Sequence, residues 1–254
     1  MNKIISLDVT DKYHDVFNVT QLFSQVLNKM NTEFDMVEVD FVRDGIDKEQ
    51  ILNASGVLIS GSKYSVNDKL AWIDEAKALV RELDETGIPV LGICFGHQLI
   101  ASALGGQVVQ MKTYEIGPYA LQLTEKGQSD PVFKHIDSGT QFMFSHFDHV
   151  AQLPPDATTL ACTDLDPHSA FKLRNMRGVQ CHPELTGPLL AKVMIQYKDA
   201  FLQYIQESDS EWENRADAIS QCTLSGDLLL RNFFDFLIEI ESTDHRKNKL
   251  VEEN

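Results

Sequence analysis

The first 106 residues alternate between two hydrophobic periodicities, and this alternation restricts the fold more than any other feature of the chain. Four short runs, "KIISLDV" (3–9), "MVEVDFV" (36–42), "GVLIS" (56–60) and "IPVLGI" (88–93), are β-branched or apolar and read as strands. Helical spacing separates them. Residues 14–30 place Val16, Val19, Phe23, Val26, Leu27 and Met30 on one face, and residues 68–86 do the same with Leu70, Ile73, Ala76, Leu79, Val80 and Leu83. "HQLIASAL" is a further helix, stopped by Gly105 and Gly106. Strands separated by helices imply a mostly parallel sheet with helices on both faces.

After residue 106 the rhythm changes. "GQVVQ", "YALQLT", "TQFMFSH", "TTLACTD", "SAFKL" and "MRGVQC" are strand candidates with few helices between them, read as later strands and an antiparallel extension. Helical spacing returns over 187–206 and 224–240. The expected fold is therefore α/β: a mostly parallel central sheet, an antiparallel extension and extra C-terminal helices. One domain is expected over 1–242, with 186–242 as its helical extension and 243–254 as a flexible polar tail.

Composition excludes several function classes. A formal net charge of −16 opposes binding to nucleic acid or an anionic membrane, both of which need a basic face. There is no 18-residue apolar run, and the first residues meet charges too soon for a signal peptide. The four cysteines, Cys94, Cys162, Cys181 and Cys222, form no C-x-x-C pair, so reduced thiols in a cytoplasm are expected.

Cys94 lies in "GICFGHQ", between the strand "IPVLGI" and the helix that follows. Active sites of parallel sheets form at the carboxyl ends of strands. Glycines two residues before and after Cys94 permit a sharp turn that lifts the side chain above the sheet. A helix N-terminus behind the thiol favours its reactive thiolate, and the Phe95 amide is a candidate oxyanion donor. Free cysteine is also among the most buried residue types, so the elbow alone leaves nucleophile and core thiol both open. A second stretch, "GVQCHPE" (178–184), offers a base and its orienter, His182 and Glu184, at the end of another strand.

Together, "VLGICFGHQLIASALGG", "GVQCHPE" and the upstream "LISGSKYSVND" resemble the class I (triad) glutamine amidotransferases. The likeness is strongest to stand-alone members similar to the amidotransferase half of GMP synthetase, which include γ-glutamyl peptidases. The resemblance implies Cys94 as nucleophile, His182 as base and Glu184 as its orienter. It implies a second oxyanion donor at Gly61–Ser62 and a substrate contact at Gln98. "SHFDHV" (145–150) stands where many relatives read S-H-G-D-x-V, which brings Ser145, His146 and Phe147 to the pocket, with Phe147 in place of a glycine. "YEIG" (114–117) resembles a segment near the pocket.

The implied reaction is attack by Cys94 on the side-chain amide of glutamine or another γ-glutamyl compound, with no metal or organic cofactor. His146 and His149 lack further ligands at a metal-site spacing, and the other three cysteines read as core thiols. Three roles remain open: a free-standing hydrolase of γ-glutamyl amides, a glutaminase subunit feeding a separate synthase, and a regulatory or binding module that keeps the triad. A complete Cys94–His182–Glu184 set with no synthase half and a long helical tail inclines the reading toward the hydrolase, with Phe147 as part of the leaving-group wall and γ-glutamyl peptides turned over at least as well as glutamine. A homo-oligomer is a further possible assembly.

Overall fold

A computed structural model describes residues 2–11, 15–45 and 47–252, with side chains described up to residue 243. Its centre is a nine-stranded sheet in the order β2-β1-β3-β4-β9-β8-β7-β5-β6. Strands β1 (Asn2–Asp8), β2 (Phe34–Asp40), β3 (Gly56–Ile59), β4 (Val90–Ile93) and β9 (Met176–Val179) pair in parallel. Strands β5 (Gln107–Leu123), β6 (Thr140–Gln152), β7 (Thr158–Cys162) and β8 (Ala170–Leu173) continue it in antiparallel fashion.

The parallel strands are unbroken apolar runs because both faces are covered. Ile4, Leu58, Leu91 and Val179 face one core, which holds Phe23 and Val26 of α1 (Val19–Leu27) and Leu230, Phe233 and Leu237 of α9 (Asp227–Glu252). Ile5, Val57, Ile59 and Val90 face the other, against α3 (Ala71–Thr86) and α4 (Phe95–Ala103). A short α2 (Lys48–Leu52) precedes β3, and α5 (Glu125–Gln128) follows β5. Helices α6 (Gly187–Gln196), α7 (Lys198–Leu202) and α8 (Asp209–Ser220) build a third core on β5 and β6, with Trp212, Phe201 and Ile219 buried in it.

Several boundaries differ from the sequence reading. "GQVVQ" and "YALQLT" belong to one long β5, which carries an irregularity between Gln110 and Glu115. The helix expected over 187–206 is broken at Tyr197, which leaves helical geometry at φ −112°, ψ 28°. Helix α8 was not expected, because its buried positions Trp212, Ala216 and Ile219 are sparse among polar residues. Its signal is the capping box: Ser208 Oγ accepts from the Glu211 amide and the Glu211 carboxylate accepts from the Ser208 amide. Helix α9 continues to Glu252 through the stretch read as a polar tail; it contains no Gly or Pro to stop it. Residues 253 and 254 lie outside the described residues.

Candidate active site

Cys94 occupies the turn between β4 and α4 with φ +51° and ψ −101°, a backbone conformation that L-residues rarely hold and that surrounding contacts must enforce. Those contacts are close. A methyl group at Gly92 would come within 2.4 Å of the Gly96 backbone, and one at Gly96 within 2.4 Å of the Ile59 carbonyl oxygen. Only glycine at both positions lets α4 turn back so near the sheet. The Cys94 amide donates to the Val179 carbonyl at 2.9 Å, which ties the elbow to β9. Its sulfur lies 3.8 Å from the Ser145 carbonyl oxygen.

Residue His182 follows β9, the sheet neighbour of β4, so both side chains emerge at the same edge. The His182 amide donates to Met143 of β6 at 2.8 Å. Its Nδ1 donates to Glu184 Oε1 at 2.7 Å, which leaves Nε2 for the Cys94 side. Burial disfavours the imidazolium, but the Glu184 carboxylate and the Cys94 sulfur outweigh it and hold the His182 pKa well above its usual value. Gly61 follows β3 closely. A methyl there would lie 2.8 Å from His182 Cε1 and 3.6 Å from Cys94 Cβ, so its backbone borders the same crevice. Ser62 turns its hydroxyl away, donating to the Val9 carbonyl at 2.6 Å. The Phe95 ring is buried beside Trp72, with ring centres 5.5 Å apart, and its amide opens α4.

The remaining sequence-derived residues divide into two groups. Ser145 and Phe147 line the crevice. Gln98 borders it too, but its Nε2 donates to the Asp148 carbonyl at 2.8 Å and to Gln180 Oε1 at 3.0 Å. His146 is turned inward: Nδ1 meets the Asp148 carbonyl at 2.9 Å and Nε2 meets Glu115 Oε2 at 2.8 Å. Glu115, from "YEIG", also accepts from Thr163 Oγ1 at 2.6 Å. His149 Nδ1 faces Asp166 Oδ1 at 3.3 Å. This buried polar layer lay beyond the sequence reading, because its members come from β5, β6 and the β7–β8 loop. Cys181 is fully buried, and burial pushes its thiol well up; Cys162 and Cys222 are half-buried.

Two voids meet at Ser62 and Ser145. The larger, about 440 Å³, contains Cys94, Gln98 and Asp148 and is walled by Phe147 together with Phe201 and Tyr204. The smaller, about 40 Å³, lies beyond Gly61 against His182 and Glu184, with Phe17, Leu190 and Val193 as its apolar wall.

Comparison with known proteins identifies a family and a fold. Residues 12–198 match the model of the family described as glutamine amidotransferase class-I. The chain is 28% identical over 219 residues to a protein named GMP synthase [glutamine-hydrolyzing] from Trichormus variabilis, covering 84% of this chain and 36% of that one. It is 31% identical over 185 residues to the protein of that name from Caldanaerobacter subterraneus, covering 72% of this chain and 33% of that one. The chain thus spans about a third of the length of these relatives. A solved glutamine amidotransferase from Thermotoga maritima shares the fold with a TM-score of 0.70 at 20% identity, over 94% of this chain and 98% of that one. Another from Methylobacillus flagellatus gives 0.67 at 19%, over 92% and 94%.

Proposed function

This chain belongs to the class-I glutamine amidotransferase family, and we propose that it hydrolyses a γ-glutamyl amide bond through a thioester on Cys94. The observation that carries the reading is the meeting of a strained cysteine elbow with the His182–Glu184 pair, 2.7 Å apart, at adjacent strand ends.

In this mechanism the Cys94 thiolate adds to the amide carbon. The oxyanion that forms is held by the Phe95 amide and one from Gly61–Ser62. The C–N bond breaks as His182 Nε2 gives its proton to the leaving nitrogen, and Glu184 supports the imidazole from the other side. Water then attacks the thioester and gives a proton to His182. The C–S bond breaks, glutamate departs, and thiolate and imidazolium are restored.

The leaving nitrogen must face His182, so the void beside that residue limits the leaving group. At about 40 Å³ it holds a few water-sized molecules, since one water needs roughly 10–15 Å³. Ammonia fits there. An amino-acid amine would require Phe17, Leu190 or Val193 to move. We therefore favour glutamine over γ-glutamyl peptides, the reverse of the expectation drawn from the sequence. A second reading is a glutaminase subunit that passes ammonia to a separate synthase. Its support is that the chain corresponds to about a third of relatives named as GMP synthases.

The deciding experiment is a release assay on the protein alone, with glutamine and γ-glutamyl dipeptides. Glutamate should appear from glutamine at roughly 1 s⁻¹ or faster and more slowly from the dipeptides. A glutamine-mimicking electrophile should label Cys94 and spare the other three thiols. Labelling elsewhere ends the nucleophile assignment, and turnover seen only with an added synthase selects the subunit reading.

A further inference from the structure

The larger void exceeds what free glutamine needs, and its chemistry is divided. Near Cys94 it is polar. Beyond Ser145 it becomes aromatic: the Phe147 ring lies 4.8 Å from Tyr204 and 6.1 Å from both Phe201 and Tyr114. Phe147 lies two positions beyond Ser145 along extended β6, about 7 Å at strand spacing. A glutamine side chain reaches only about 4 Å from its amide carbon at Cys94 to its α-carbon, so a substituent on the α-carbon must cover the rest of that interval. Substituents on the α-carbon, not the leaving amine, therefore arrive at the aromatic wall, because the leaving amine points the other way, toward His182.

The charges at this end are uneven. Among the described lining residues, Asp148 is the one carboxylate and Lys63 the one cation. Lys63 is already paired with Asp11 at 2.6 Å, whose carboxyl is held low first by the Lys63 hydrogen bond, and its ammonium also lies over the Tyr64 ring. Among the described residues, the Asp148 carboxylate accepts one hydrogen bond, from the Ser65 hydroxyl at 2.5 Å, and pairs with no cation. The site can therefore neutralise an α-ammonium but offers no unspent cation to an α-carboxylate. Tyr204 is 54% exposed, so the aromatic wall opens to solvent and does not close over a single amino acid.

We propose that the preferred substrate is glutamine at the amino end of a peptide, with its α-amino group on Asp148 and an apolar or aromatic second residue against Phe147 and Tyr204. The inference rests on the amidohydrolase reading above and specifies its substrate. The side-chain amide is still the bond cleaved: water is consumed, ammonia leaves on the His182 side, and the product is a glutamyl peptide.

The test measures ammonia release from glutamine, glutaminyl-glycine and glutaminyl-phenylalanine, and amine release from γ-glutamyl-phenylalanine. Glutaminyl-phenylalanine should exceed free glutamine in kcat/KM by roughly tenfold, the size of a good aromatic contact. Phe147→Gly should bring that ratio toward one. Tyr204→Ala should lower it as well, and because Tyr204 is exposed this second variant does not depend on the core. A wild-type ratio at or below one, or a ratio unchanged in both variants, overturns the substrate assignment while glutamine turnover keeps the amidohydrolase reading. Preference for γ-glutamyl-phenylalanine would give the aromatic wall to the leaving group and also overturn it. No turnover of any of the four compounds removes both.

Discussion

The two halves of the sheet hold their parts of the site by different means. In the parallel half, Cys94 is positioned by backbone contact: Gly92 and Gly96 let α4 press against the strands, and a backbone hydrogen bond from Cys94 to Val179 secures the turn. In the antiparallel half, side chains do the positioning. Glu115, His146, Thr163 and the Asp148 carbonyl form a buried polar layer, and an aromatic cluster docks α7 and α8 onto β6. His182 joins the halves, since it leaves β9 on the parallel side and bonds through its amide to Met143 of β6. The comparison teaches that the proposed reacting atoms are placed mainly by backbone contact, while the shape of the proposed substrate space belongs to the half built from side chains.

Breaking the joint should have the largest effect. His182→Ala should lower kcat by about 10²–10⁴-fold with the fold retained, measured by glutamate release and circular dichroism. Glu184→Gln should cost less and carry a pH signature. The Glu184 carboxylate is the largest influence raising the His182 pKa, so the alkaline limb of the rate profile should move to lower pH. A wild-type rate in either variant, with Cys94→Ala inactive, would require another base.

The next largest effect lies in stability, where α4 meets β8. His97 is fully buried 4.9 Å from the Phe171 ring. Burial, with smaller contributions from His146 and His168 opposed by Asp166, holds its pKa down to about 4 from 6.5. The unfolded chain therefore takes up a proton between those values that the native state refuses. This stability is complete above pH 6.5 and is lost as pH falls toward 4, by about 3 kcal/mol. Urea unfolding of the wild type and of His97→Gln across this range should show a shallower pH dependence in the variant. Parallel curves would assign the acid sensitivity to other groups.

Gly96→Ala tests the parallel half alone. The added methyl meets a backbone carbonyl, which cannot rotate away, so the cost should lie near the top of the ~1–3 kcal/mol range for overpacking. Activity should fall with it, because the displaced helix carries the Phe95 amide. A variant with wild-type stability would mean that the elbow is less tightly enforced than its contacts indicate.

These differences also explain what the sequence could reveal. The parallel strands, the tight turn at Cys94 and the nearness of His182 to Glu184 were legible from unbroken apolar runs, flanking glycines and a two-residue spacing, whereas the roles proposed for these three residues came from the resemblance to a family. The inward rotation of His146 was not, since its partner Glu115 is brought near only by β5–β6 pairing. Nor was the break at Tyr197, because Leu190, Val193, Met194 and Phe201 keep a helical rhythm across it. Beyond the break Phe201 packs on Phe147 of β6 and Trp212 of α8, contacts that no local helical rhythm announces.

The smallest effect should come from the outer edge of that aromatic roof. Arg215 of α8 pairs with Glu207, and Tyr114 of β5 donates to the same carboxylate at 2.7 Å; the guanidinium also lies over the Tyr114 ring. Desolvation is the largest influence on Glu207, but the Arg215 and Tyr114 hydrogen bonds overcome it and hold its carboxyl low. Arg215 is about a third exposed, so water and salt screen the pair, and Arg215→Ala should cost no more than about 1 kcal/mol. The consequence should be local. Amides of α7 and α8 should exchange hydrogen faster, while those of β1, β3 and β4 keep their protection, because the two halves do not share this anchor. Turnover of free glutamine should change less than the preference for glutaminyl-phenylalanine, since Phe201 and Tyr204 shape the outer cleft while Cys94 rests on β4 and β9. Uniformly faster exchange through both halves would show that they unfold as one unit, and the division of labour between them would then not extend to stability.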